Sequence, residues 1–313
     1  MNAPKTTLST EWLSVCGGCH VAIVDLHEKI LEVLKAVDIV RSPLLMDEKG
    51  FPKADVGLIS GAVRTEHDVE VARKMRESCN TVIAFGTCAV FGGISGAAMV
   101  HSPEDILDRV YRQSRSTENA SGTVPDKRVP AMTATVRPLD DVIDVDLYLA
   151  GCPPHAAFIF DALLALTKGR PPKARRETIC ARCDRSMEKR DTATLKTSLD
   201  GIPEPGVCFL SQGYICMGSV TLDRCLAPCP SNGVPCTGCA GPTCQILTEP
   251  NRDIRTELAT RISKLTKIEP AAVREKIEKT AKNRYAYAMA GGMIRNKPTF
   301  LIEKWIEDVE RPQ

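Results

Sequence analysis

Fourteen cysteines fall along 313 residues, and twelve of them sort into three sets of four. The first set is Cys16-Gly-Gly-Cys19 with Cys88 and Cys152. The second is Cys180-x-x-Cys183 with Cys208 and Cys216, and the third is Cys225, Cys229 and Cys236-x-x-Cys239. Four thiolates satisfy one cubane iron–sulfur cluster or one structural zinc. A Cys-x-x-Cys pair brings two sulfurs to one centre from a single turn, so spacing alone admits either occupant at the second and third sets. Three sets in one chain, with no obvious hydrolytic or nucleotide site, predict a relay that carries electrons. The rival reading is a zinc-stabilised interaction module on an α/β domain.

Two cysteines and five histidines lie outside this pattern. Cys79 is expected as a packed core residue, because it ends a helical pattern before an apolar strand. Cys244, five residues past Cys239, is either surplus or a replacement for one ligand of the third set. His20, His27, His67, His101 and His155 show no metal-type pairing. His20 and His155 flank first-set residues and would tune that site, or they are partly exposed helix-start residues. A thioredoxin-like use of Cys16 and Cys19 is a further alternative, but it leaves ten later cysteines unexplained.

Loops at one sheet edge can position the first set. Short apolar strands alternate with amphipathic helices up to about residue 170, which predicts a parallel sheet with helices on both faces. The strands are expected at Leu8–Val15, Val37–Val40, Val56–Ser60, Thr81–Phe85 and Val145–Ala150. Helices are expected at His20–Lys35, Glu66–Glu77, Pro103–Arg112 and His155–Thr167, with 114–128 as a surface excursion. Each first-set cysteine follows a strand in a glycine-bearing turn: Cys16-Gly-Gly-Cys19, Gly86-Thr-Cys88 and Gly151-Cys152-Pro153-Pro154. In an open parallel sheet such loops share the edge where ligands collect.

Gly169-Arg-Pro-Pro-Lys marks a boundary, giving domains 1–170 and 171–313. From Ile179 to Pro250, Gly, Pro and Cys dominate, and too few apolar residues remain for an ordinary core, so metal bonds are expected to hold the segment. Pro228, Pro230, Pro235 and Pro242 are expected to exclude helix around the third set. Helices resume at Asp253–Leu265 and Pro270–Ala288, with a closing helix at Pro298–Val309.

Composition excludes little but is consistent. The formal net charge is +2 with 26% charged residues, which gives no reason to invoke nucleic acid or a membrane surface. No apolar run is long enough to span a bilayer, and the first residues carry no export signal, so the expected compartment is the cytoplasm. In that reducing setting, clustered cysteines read as metal ligands rather than disulfides.

With these motifs in hand, the chain resembles the small, electron-transferring subunits of nickel–iron hydrogenases over nearly its whole length. The carriers are Trp12-Leu13-x2-Cys16-Gly-Gly-Cys19, Gly86-Thr-Cys88-Ala-x2-Gly92-Gly93, Gly151-Cys152-Pro153-Pro154, Cys208-x7-Cys216-Met-Gly-x-Val-Thr and Pro235-Cys236-Thr-Gly-Cys239-x-Gly-Pro242. The resemblance implies a flavodoxin-like N-terminal domain and a C-terminal domain, with three 4Fe-4S clusters between them. It implies a proximal cluster on Cys16, Cys19, Cys88 and Cys152, beside the nickel–iron centre of a large partner subunit. It implies a distal cluster on Cys180, Cys183, Cys208 and Cys216, and a medial one on Cys225, Cys229, Cys236 and Cys239.

Two departures from periplasmic relatives place the likeness in the cytoplasmic branch. Cys180 stands where those proteins have histidine, and Cys229 supplies a fourth medial ligand that they lack. Within the branch, the chain is most similar to the methyl-viologen-reducing type linked to heterodisulfide reductase. That likeness implies a further iron–sulfur or flavin electron-transfer partner. Deazaflavin-reducing and NAD(P)-linked relatives share the twelve-cysteine plan. A shorter complex I-like subunit with a single cluster is the remaining alternative, and the eight downstream cysteines argue against it.

Overall fold

Thr6–Trp12 (β1) runs through the five-stranded sheet between two neighbours, and its Leu8, Ser9, Thr10 and Glu11 are all buried. The computed structural model describes residues 4–173, 176–197, 199–249, 252–280 and 287–291. They divide into two compact units: residues up to Lys173 with Tyr287–Gly291, and those between 176 and 280.

In the first unit, Val37–Arg41 (β2), Ala54–Ser60 (β3), Cys79–Phe85 (β5) and Leu147–Leu149 (β7) join β1 in the order β2-β1-β3-β5-β7, all parallel. Counting only these five strands, the order is 2-1-3-4-5, the flavodoxin-like winding with its switch point between β1 and β3. The parallel α/β sheet expected from the alternation is therefore present. Trp12, Ser60, Phe85 and Leu149 lie in one lateral row, each the last residue of its strand. Three of the loops leaving that row carry the first-set cysteines.

Helices cover both faces. Gly18–Val24 (α1), Ile30–Ala36 (α2) and Ala156–Thr167 (α6) pack on one side, burying Ile23, Leu26, Val33, Ile159 and Leu163 against Leu8, Val56, Leu58, Ile83 and Phe85. Each such side chain contributes roughly 1.5–3 kcal/mol of burial. Glu66–Ser78 (α3) covers the other side through Met75. Thr65 caps it reciprocally with Asp68, and Asp68 also accepts a 2.8 Å bond from Ser14 Oγ. The turn leading to Cys16 is thus tied to the start of α3. The next helices are Thr87–Phe91 (α4) and Pro103–Tyr111 (α5).

Two local differences from the sequence reading have physical causes. The expected His20–Lys35 helix is interrupted, because His27 takes a left-handed conformation (φ 50°) between α1 and α2. Val63–Thr65 (β4) pairs antiparallel with Met132–Arg137 (β6) in a separate two-stranded ladder, too short and polar to show a period. The helix expected at Pro298–Val309 lies outside the described residues, as do positions 281–286 of the one expected at Pro270–Ala288.

The second unit has little regular structure before its two long helices. Pro228–Ser231 (α7) and Cys244–Thr248 (α8) are single turns. The expectation that prolines exclude helix here is corrected by α7. Pro228 stands in its first turn, where a missing N–H leaves no bond unmade. Ile254–Leu265 (α9), capped by Asp253, and Pro270–Lys279 (α10) pack together through Leu258, Ile262, Val273 and Ile277. Arg255 and Glu278 pair across them at 2.7 Å. Among the described residues, no helix is long and apolar enough to cross a membrane.

Candidate metal centres

The loops after β5 and β7 are laced together before any cysteine is reached. Gly86 N–H donates to Leu149 O and Thr87 N–H to Gly151 O, both at 2.8 Å, and Gly151 N–H returns a 3.0 Å bond to Thr87 Oγ1. The β1 loop is pinned beside β3 by Leu13 N–H to Ser60 O and by reciprocal bonds between Ser14 and Ala62. Cys16, Cys19, Cys88 and Cys152 come near enough for their charges to act on one another, although among the described residues no three such side chains are placed to hold a single metal ion. Burial pushes the Cys19 thiol up to about 12, with Cys88, Cys152 and Cys16 adding to the rise. The Cys88 thiol is pushed up to about 11 by burial, then by Cys152 and Cys16, while a backbone bond from Ile94 opposes it. Cys152 is raised by burial and by Cys16.

Two glycines make room for these sulfurs. A β-carbon on Gly86 would collide with Cys19 Sγ, and one on Gly93 with Cys88 Sγ and the Cys88 backbone. Both have positive φ, 85° and 57°, which an L side chain adopts only with strain.

His20, the residue after Cys19, corrects one expectation. Rather than a partly exposed helix-start residue, it is 1% exposed. Its ring packs edge-on to Trp12 (5.3 Å) and Phe85 (6.4 Å), and Nδ1 lies 3.1 Å from Ser60 Oγ. It thus sits on three neighbours of the strand-end row. Burial lowers its pKa to about 4, so the ring is neutral. Nε2 is buried with no hydrogen-bond partner, a situation that costs about 1–3 kcal/mol when left uncompensated. His155 does start a helix: it caps α6 by accepting from Ala157 N–H at 3.1 Å.

The cysteines of the second set also act on one another. The Cys180 thiol is pushed up to about 12 by burial, then by Cys216, Cys208 and Cys183. That of Cys216 is pushed up to about 11 by burial, and backbone N–H bonds from Gly218 and Cys236 oppose the rise. Gly218 lies against both sulfurs. Helix α9 packs behind this loop, and its Arg261 acts favourably on Cys180 thiolate. Arg185 braces the region, donating to the carbonyls of Glu204 (2.9 Å), Val207 (3.0 Å) and Pro230 (3.2 Å) and stacking 4.1 Å from the Phe209 ring.

The third set is placed as two pairs. Cys225 is raised by burial, then by Asp223 and Cys229; Cys236 is raised by burial, then by Cys216 and Cys239. Leu226 and Ala227 both adopt left-handed backbone (φ 62° and 56°), which turns Ala227 N–H onto the Cys225 sulfur. Two consecutive non-glycine residues in that region store roughly 1–2 kcal/mol each. Gly238 N–H donates to Cys236 Sγ at 3.4 Å.

Cys79 is buried between Ser78 and Gly57, as expected of a core residue, and Cys244 is exposed at the start of α8. Cys19, Cys88, Cys216 and Cys236 are buried while Cys16, Cys152 and Cys180 reach the surface, and thiols crowded this way resist ionising together unless a cationic centre lets them do so. The donor chemistry, soft sulfur with backbone N–H groups aimed at it, fits iron–sulfur clusters.

Comparison with known proteins gives the family. Residues 16–166 match the family model described as NADH ubiquinone oxidoreductase, 20 Kd subunit. A subunit of the F420-non-reducing hydrogenase of Methanococcus voltae is 40% identical over 247 residues, covering 79% of this chain and 86% of that one. The chain belongs to the nickel–iron hydrogenase small-subunit family. A second relative, the iron-sulfur subunit of the F420-non-reducing hydrogenase of Archaeoglobus profundus, is 33% identical over 90% of this chain and 95% of its own. Among solved structures, a chain of the NAD+-reducing [NiFe]-hydrogenase in the H2-reduced state superposes with a TM-score of 0.53 at 34% identity. It covers 55% of this chain and 96% of that one. In this hydrogenase small subunit, cysteines lie in three strand-end loops and in a further cysteine-rich segment beyond them.

Proposed function

We propose that this small subunit relays electrons between the hydrogen-splitting nickel–iron centre of a large subunit and a cytoplasmic redox partner, an iron–sulfur or flavin protein such as heterodisulfide reductase. In this reading the twelve cysteines hold three 4Fe-4S clusters: proximal on Cys16, Cys19, Cys88 and Cys152, distal on Cys180, Cys183, Cys208 and Cys216, and medial on Cys225, Cys229, Cys236 and Cys239. The domains are 1–170 for the proximal site and 171–313 for the other two.

The observation that carries the proposal is the approach of Cys16, Cys19, Cys88 and Cys152 to one another from three loops on one end of the parallel sheet. The iron–sulfur name of the Archaeoglobus relative supports the choice of occupant. Each cluster, when bound, supplies one-electron redox chemistry. The protein's part is to hold the sulfurs and set their electrostatics. Amide N–H groups from Ile94, Gly218, Cys236, Ala227 and Gly238 point at cysteine sulfurs and favour the more negative state.

The test separates relay from catalysis. In the native complex, Cys216→Ser should abolish hydrogen-dependent reduction of the physiological acceptor while hydrogen–deuterium exchange at the large subunit persists. Loss of both activities with the large subunit still loaded with nickel would contradict the proposal.

A further inference from the structure

We infer that His20 Nε2 is a hydrogen-bonding group reserved for a sulfur of the first site, so that His20 sets the reduction potential of whatever cluster Cys16, Cys19, Cys88 and Cys152 hold. The inference rests on the proposed reading of that set as cluster ligands and adds a residue outside the ligand set.

His20 is the residue after Cys19, in the first turn of α1, and its ring is fixed on three sides by Trp12, Ser60 and Phe85. Those three residues end β1, β3 and β5 in register, so the ring lies over the sheet edge from which the cysteine loops depart. The residue after Phe85 is Gly86, and the space a β-carbon would take there is filled by Cys19 Sγ. Ring and sulfur therefore crowd the same strand end. Nδ1 is engaged by Ser60 Oγ, whereas Nε2 is buried and unpartnered. If Ser60 donates to Nδ1, the ring carries a proton on Nε2 and presents an N–H there, which a sulfur-rich anionic centre can accept. An N–H bond to sulfur stabilises the more negative, reduced state and raises the potential.

The test is a redox titration of the native complex, followed by electron paramagnetic resonance, in wild type, His20→Met and His20→Gln. In His20→Met the reduced-to-oxidised ratio of the first cluster, read at fixed potential, should fall about tenfold, 59 mV for a one-electron couple. His20→Gln, which keeps an N–H, should recover part of the loss, and the two other signals should not move. Wild-type potentials in both variants would overturn the inference and leave the cluster reading intact. If Cys16→Ser leaves the full complement of clusters, the reading and the inference fall together. Should His20→Met fail to assemble, labelling histidine with nitrogen-15 in wild type and in His20→Gln decides the matter. A nitrogen coupling to the reduced cluster that His20→Gln abolishes supports the assignment. Its absence in wild type overturns it, the partner of Nε2 then being water or the large subunit.

Discussion

The backbone N–H of Cys236 donates to Cys216 Sγ at 3.2 Å, joining a residue of the third set to a sulfur of the second. Met217 N–H returns a 2.9 Å bond to Cys236 O. The two centres are therefore built on one shared strut. Replacing a residue in the strut should disturb both. Cys236→Ser should alter the magnetic signal of the second cluster as well as removing the third, whereas Cys229→Ser should leave the second unchanged. Electron paramagnetic resonance of the two reduced variants checks this; identical second-cluster spectra would contradict the coupling.

Glycine substitutions separate strain from collision. Gly17 has φ 88° with open space beside it, whereas Gly86, at φ 85°, faces the Cys19 sulfur. Gly17→Ala should cost about 1–2 kcal/mol of backbone strain and leave the first cluster in place. Gly86→Ala should bear the same strain and also displace a ligand sulfur, so iron bound per complex should fall by one cluster's share. Iron analysis after anaerobic purification distinguishes them.

Arg185 supports the loops of the second unit with three carbonyl bonds and a ring stack. Arg185→Met keeps some of the stack and loses the bonds, at a cost of about 2–3 kcal/mol. The second unit should become more sensitive to protease between residues 179 and 249 while the first unit's digestion is unchanged. Digestion of the second unit at the wild-type rate would show that the bonds carry no net stability.

Under the proposed assignment, Cys180 is a ligand of the distal cluster, at a position where the resemblance implies histidine in periplasmic relatives. Exchanging thiolate for neutral imidazole removes a negative charge and, as in histidine-ligated iron–sulfur centres, raises the potential. Cys180→His should therefore shift the distal cluster upward in a redox titration, with the proximal cluster unmoved. No shift would remove Cys180 from the ligand set.

Most of what positions the first site is legible in the sequence, for an identifiable reason. Thr81–Phe85 and Leu147–Ala150 read as strands followed at once by Gly86-Thr-Cys88 and Gly151-Cys152, so strand ends and cysteine turns are visible together. The register that aligns Trp12, Ser60, Phe85 and Leu149 is not visible, because it depends on pairing between strands distant in sequence. The burial of His20 escapes sequence reading for the same reason: it comes from Trp12, Ser60 and Phe85, none of them local except through the fold. A polar residue inside an otherwise apolar first helical turn, Cys19-His20-Val21-Ala22, is the signal that could reveal it. The short helix at Pro228 is hidden because proline reads as a breaker, although in a first helical turn it is an ordinary residue.

The most direct measurement of the central claim is the elemental content of the complex purified anaerobically from its native host: iron, nickel, zinc and acid-labile sulfide. The relay account predicts nickel with about a dozen cluster irons and matching sulfide per copy of this chain. Zinc without sulfide would mean that the cysteine sets are structural, and the relay would have to be abandoned.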